Sequence, residues 1–244
     1  MRSAAERACV SGREAILEIE DLQNRLGEET VQREPFWRAL VDDPAAVPEN
    51  VFHGLCAENY HLLFRESYFD SPVLSYAGST AARRLINEFY IEEYGHDELL
   101  LRALSSLGVT REDLFATAPL PETAALYNAL AYWARYDPLF FFTTLGPLEG
   151  REVEIDSFVT AARRRGLPAA FVEPIASHAR INKDGAHGLL ARAIFDAIPV
   201  VAAADLARLR RLTGLFVRLY ARFYAGVWRH YAAGGALVRP VTEL

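Results

Sequence analysis

NEFYIEEYGHDELLLRALSSLG, residues 87–108, repeats its apolar residues at helical spacing while a carboxylate and an imidazole interrupt the same face. With Ile86 just before it, the stripe runs Ile86, Tyr90, Glu93, Asp97, Leu100 and Leu104, with Phe89 and His96 at its edge. An ionised carboxylate on such a stripe costs several kcal/mol unless a cation or a hydrogen-bond donor compensates it. Residues three apart lie on neighbouring parts of a helix surface, so Glu93 and His96 can reach inward to one point. The alternative is a partly exposed acidic patch with His96 hydrogen-bonded in the core. Ser79 or Thr80 can cap this long helix, and Gly108 is placed to stop it.

Working outward, every neighbouring stretch has the same period. Helical patterns run over residues 14–25, from Thr30 through Leu40, over 51–69 behind Asn50, over 123–135, and from Asp137-Pro138 to Gly166 with a bend at Gly146-Pro147. Leu167-Pro168 opens the region containing HARINKDGAHG, and Asp205 caps a long last helix. There is no alternating run rich in Val, Ile and Thr, and no repeat of fixed period. The expectation is an all-α, single-domain helical bundle over residues 13–233, with a loose start at 1–12 and a weakly ordered tail at 234–244.

Composition narrows the function classes. The chain has 244 residues, 51% hydrophobic and 24% charged, enough to bury a large core. A formal charge of −6 offers no broad cationic footprint for nucleic acid, and Arg163, Arg164 and Arg165 read as a solvated helix end. Two cysteines, Cys9 and Cys56, are too few for a disulfide framework and fit a reducing cytoplasm. Charged residues occupy the amino terminus where a signal peptide needs an apolar run, and no stretch is long and apolar enough to span a membrane.

Two further segments place metal-capable residues inside helices. Glu149 and Glu152 lie one turn apart after the aromatic run LFFF at 139–142, and Asp184 and His187 repeat the spacing of Glu93 and His96. Two carboxylate-to-imidazole pairs and an intervening Glu form the kind of ligand set with which a bundle holds a carboxylate-bridged di-iron site. Carboxylates bridge two cations and offset their charge, and neutral imidazoles suit iron. Taken singly, each has a plainer reading: the glutamates as a solvated face, Asp184 paired with Lys183 or Arg180, His187 as a core histidine.

The segments at 92–109, 140–168 and 178–188 together resemble the haem-oxygenase-like helical proteins, in particular the iron-containing redox enzymes and di-iron oxidases related to TenA and PqqC. The resemblance covers the chain from Val51 to the end of the last helix. It implies metal ligands Glu93 and His96 from one helix, Glu149 from the next with Glu152 as second choice, and Asp184 and His187 from a third. Many family members carry another histidine four residues before the Asp, where this chain has Arg180. His178 is the nearest imidazole; six residues before Asp184 it falls about 120° away on a regular helix. Only a π-bulge would bring it round in that register, so one or two irons are both expected.

The resemblance further implies Fe(II) with O2 as co-substrate and a small, amino-acid-derived, fatty-acid-like or other biosynthetic organic substrate. Tyr60, Tyr90 and the aromatics Phe140, Phe141 and Phe142 would shape its pocket. His61, three residues after Glu58, would be a further contact, against the plainer reading of both as helix-surface residues. A PqqC-like cofactorless oxidase and a non-catalytic helical binding protein are the alternatives. Haem oxygenase needs an early axial histidine, and none precedes His53; hydrolysis in this fold uses a cysteine, and neither cysteine lies in an activating context. Dimerisation through the aromatic last helix is left open.

Overall fold

A computed structural model describes residues 9–65, 71–76, 78–149 and 154–241. Glu152 and the first eight residues lie outside the described residues. Twelve α-helices are described: α1 (Gly12–Glu29), α2 (Pro35–Asp42), α3 (Glu49–Leu63), α4 (Thr80–Glu93), α5 (Asp97–Ser105), α6 (Arg111–Ala116), α7 (Pro121–Tyr136), α8 (Pro138–Leu148), α9 (Glu154–Arg165), α10 (Ala169–Asp184), α11 (Leu190–Asp196) and α12 (Ala203–Tyr231). Among the described residues the only β features are two isolated bridges, Val10 with Val201 and Thr117 with Pro240, so the all-α expectation holds.

Local chemistry sets the helix ends. Ser11 and Glu14 form a reciprocal capping box on α1, Ser79 caps α4 through the Ala82 N–H, and Asp137 caps α8 through the Phe140 N–H. Proline occupies the first turn of α2, α7 and α8, where its missing N–H leaves no bond unmade. Helix α12 is the spine. Its Leu206, Leu209, Phe216, Val217, Phe223 and Val227 are buried at helical spacing, and α1, α2, α3 and α7 pack around it.

Four sequence expectations change. The helix expected from 79 to Gly108 is two helices: α4 stops at Glu93, and Gly95 takes φ +91°, a conformation that side-chain-bearing residues avoid. The run from Asp137 to Gly166 likewise ends its first helix at Leu148, with Glu149 at the helix terminus. The described part of the tail, residues 234–241, is docked rather than loose. Arg239 reaches a fully buried Glu58, whose carboxylate also accepts from Tyr231 Oη, Thr123 Oγ1 and the Leu120 N–H. Asn50, expected as a helix cap, instead donates to the carbonyls of Tyr231 and Gly235.

Candidate metal centre

The break after α4 builds the centre. Glu93 is the last residue of α4 and His96 is the residue before α5; the His96 N–H donates to the Glu93 carbonyl at 3.1 Å, closing a turn that folds both side chains inward. His187 opens a short 3₁₀ turn (His187–Leu189) after Ala186, which has left-handed φ 53°. Glu93 is 1% exposed, and its two carboxylate oxygens face two imidazoles: Oε2 lies 2.7 Å from His96 Nδ1, and Oε1 lies 2.6 Å from His187 Nδ1.

All four of these atoms are buried, and none makes a hydrogen bond of acceptable direction. They approach to hydrogen-bond distance while pointing past one another, as lone pairs do when they converge on a cation. His178 Nε2 is a fifth such atom, with the His178 and His96 rings edge to face at 4.9 Å. Glu149, at the end of α8, joins Glu93 and His187 in a second group of ligand atoms within 4.8 Å of one another.

Electrostatics favour a site ready for a cation. Burial alone would raise the Glu93 carboxyl, but the His187 and His96 imidazoles outweigh it and hold the group at about 2. Burial lowers His178 to about 4, with His96 adding to the effect, so its imidazole is neutral at pH 7. Burial also pulls His187 down, but Glu93 and Glu92 overcome it and leave the imidazole raised. Glu92 Oε2 sits 2.9 Å from His187 Nε2; that contact favours a proton on Nε2, so Nδ1, facing the centre, is the nitrogen a cation would take on losing its proton.

The structure brings together five of the six residues expected from the sequence. Glu93, His96, Glu149, His178 and His187 come together, whereas Asp184 is exposed as the last residue of α10. The expected helical pairing of Asp184 with His187 fails because the helix ends between them at Gly185 and Ala186. For the same reason His178 needs no π-bulge. It shares the inward face of a regular helix with Ala179 and Asn182, and Asn182, buried at 4% exposure, donates from Nδ2 to Glu149 Oε2 at 2.9 Å. Asn182 went unread in the sequence because the register was taken from Asp184; its spacing of four from His178 was the available signal.

A cavity of about 190 Å³ opens beside the centre, bounded by Glu149, His178 and Asn182 and otherwise mainly by apolar and aromatic side chains that include Trp37, Phe158 and Phe223. Trp37 Nε1 and Asn182 Oδ1 are buried without a partner among its lining residues. The expected pocket residues lie elsewhere. Tyr90 and Phe141 border a separate void of about 10 Å³, Tyr60 is wholly buried against Phe64, and His61 is packed beside Arg65, whose Nη1 faces its Nδ1 at 3.2 Å. Helix α3 turns Cys56 and Asn59 to the cavity in place of Tyr60 and His61. Burial raises the Cys56 thiol, so it is not an activated nucleophile.

This fold and a buried cluster of imidazoles and carboxylates define a helical protein of the haem-oxygenase-like class. Solved structures share the architecture: a domain of unknown function with a haem-oxygenase-like fold from Shewanella denitrificans (TM-score 0.70, 17% identity, covering 93% of this chain and 97% of that one) and a TenA homologue from Pseudomonas syringae (0.66, 15%, 87% and 92%). A third is haem oxygenase-2 from Synechocystis in complex with haem and NO (0.67, 14%, 91% and 88%). No curated protein matches the chain. The family model described as iron-containing redox enzyme matches residues 60–221, and the chain belongs to that family. The residues fit iron: buried nitrogen and oxygen donors lie close together, and both Glu93 oxygens, His96 Nδ1, His178 Nε2 and His187 Nδ1 make no hydrogen bond.

Proposed function

We propose that the protein is a non-haem iron, O2-dependent oxidase or oxygenase acting on a small, largely apolar organic molecule. The observation that carries this reading is that the two Glu93 carboxylate oxygens approach His96 Nδ1 to 2.7 Å and His187 Nδ1 to 2.6 Å without hydrogen-bond geometry, while His178 and Glu149, grouped with them, stand on the wall of a cavity. Iron held by Glu93, His96, His178, Glu149 and His187 would supply O2 activation. The chain's own residues supply the rest. Glu92 holds the His187 tautomer, Asn182 fixes the Glu149 carboxylate, and the aromatic wall of Trp37, Phe158 and Phe223 excludes water and seats an apolar body next to the donors. The unpartnered Trp37 N–H is a donor available to an acceptor on the substrate.

A haem-based reading finds no support in this chain. No histidine precedes His53, and the helices before α3 offer no imidazole. The test is anaerobic reconstitution with Fe(II), a count of iron per chain, and the visible spectrum and O2 uptake after mixing with O2. Bound iron and O2 consumption are expected in the wild type. Glu93→Ala, His96→Ala and His187→Ala should each lose iron while keeping helicity. Iron retained by all three variants would sink the assignment, and a wild type that binds none would return the choice to a cofactorless oxidase or a binding protein.

A further inference from the structure

Helix α8 does not hold its own end. Proline at 147, inside the helix, has no N–H, so the Thr143 carbonyl one turn back lacks the donor that a regular helix would give it there. The Thr143 and Thr144 hydroxyls add to the irregularity, donating back to the carbonyls of Phe140 and Phe141 at 2.7 Å each. Side chains from other helices make good the loss. Gln23 of α1, buried at 4% exposure, donates from Nε2 to the Thr143 carbonyl at 2.8 Å. Tyr220 of α12 donates from Oη to the Pro147 carbonyl at 3.1 Å, in the last turn, where a helix has run out of N–H groups. The Tyr220 oxygen in turn accepts from Tyr224 Oη at 2.9 Å, which leaves the Tyr220 proton for Pro147.

Two residues after Pro147 comes Glu149. Its carboxylate is grouped within 4.8 Å of ligand atoms on Glu93 and His187, which stand on other elements. A ligand set works when its members are held to about 0.5 Å. A helix end interrupted by proline has no such precision of its own, and the bonds from α1 and α12 supply it. They are close to the chemistry, since Tyr220 and Pro147 both line the cavity beside the centre.

We propose that Gln23 and Tyr220 are positioning residues for the centre: by pinning the Thr143 and Pro147 carbonyls they set where the Glu149 carboxylate stands. This rests on the reading of the cluster as an iron centre. Neither side chain is a ligand. Their loss lets the end of α8 relax and carries Glu149 away from Glu93 and His187, while Glu93, His96 and His178, on other elements, stay in place.

The test is an anaerobic titration of metal-free full-length protein with Co(II), which takes nitrogen and oxygen donors and reports them in its visible spectrum. The proteins are the wild type, Glu149→Gln, Tyr220→Phe, Gln23→Met, the double variant of the last two, and Gln23→Met combined with Pro147→Ala. Glu149→Gln gives the spectrum of a centre without this carboxylate. The double variant is expected to bind Co(II) about tenfold more weakly than the wild type, with its visible band shifted towards that of Glu149→Gln. Pro147→Ala returns an N–H to the Thr143 carbonyl, so adding it to Gln23→Met should recover most of the affinity lost.

A double variant with wild-type affinity and spectrum overturns the proposal. So does one that loses affinity but keeps the wild-type spectrum, because the ligand set is then undisturbed, and so does a Pro147→Ala background that restores nothing. A Glu149→Gln spectrum identical to the wild type also overturns it, since Glu149 is then no ligand. A wild type that binds neither Co(II) nor Fe(II) overturns the iron reading and this inference together. Far-UV circular dichroism checks that each variant is folded. Should the double variant not fold, Tyr220→Phe decides: it removes only the hydroxyl and keeps the ring, and it is expected to show the same spectral shift in smaller degree.

Discussion

At His187 two carboxylates and an incoming cation compete for one imidazole. Glu93 lies 2.6 Å from Nδ1 and Glu92 lies 2.9 Å from Nε2; together they raise the pKa that burial would otherwise lower. Without metal, His187 therefore keeps its proton to higher pH than a free histidine does. The sign follows: a raised pKa makes the ion pair stabilising below about 6.5, and that stabilisation is lost as pH rises through the higher folded value. A cation needs Nδ1 unprotonated, so it must displace the proton. Metal affinity is expected to increase about tenfold per pH unit below the His187 pKa and to level off above it. Mn(II) titrations at pH 6, 7 and 8, with proton release followed by an indicator dye, check this. Glu92→Gln should move the rise to lower pH; an affinity independent of pH in both proteins would remove His187 from the ligand set. His61 shows the opposite pressure. Burial takes it down to about 4, and Arg65, rather than a second imidazole or a carboxylate of the cluster, faces its Nδ1 at 3.2 Å.

At the scale of elements, the join between α4 and α5 carries the site. Gly95 holds φ +91°, and a Cβ built there meets nothing within 4 Å. Gly95→Ala therefore tests backbone conformation alone, without a clash. It is expected to cost about 1–2 kcal/mol, read from chemical denaturation, and to weaken metal binding because His96 follows directly. Unchanged stability and affinity would mean the break is not needed to aim His96. The apolar period made Glu93 and His96 legible as partners, but not the break, because a glycine inside a helical pattern reads as tolerated until its φ is known. Asp184 falls outside the cluster for a related reason: its spacing of three from His187 is helical only if the helix continues across Gly185 and Ala186, where it stops. A second element-scale test lies at the tail. Arg239 is the cation for the fully buried Glu58, and Arg239→Ala should destabilise the fold by roughly 3 kcal/mol, since it leaves that charge with neutral donors only. A loss below about 1 kcal/mol would mean that the neutral donors suffice.

For the whole molecule, the bundle and the clustering of five of the six expected metal-capable residues are legible in the sequence, because both rest on helical periodicity and on how few residue types bind metal. The pocket was not, because which face of α3 meets the cavity depends on how α3, α9, α10 and α12 pack, and no local pattern encodes that. The same packing makes one prediction about global stability. The candidate ligands come from four separate places in the chain: the join after α4, the end of α8, the middle of α10, and the 3₁₀ turn after it. An unfolded chain cannot hold these donors together, so cation binding adds directly to folding free energy. With free metal at 100 times Kd the gain is about 2.7 kcal/mol, and for a domain of this length that raises Tm by roughly 5–10 °C. Melting curves of the wild type with Mn(II) and with chelator should separate by this amount, while those of Glu93→Ala should superimpose. If metal is bound but the melting temperature does not move, the cation is held by groups that remain together in the unfolded chain, and the ligand set drawn from separate elements is wrong.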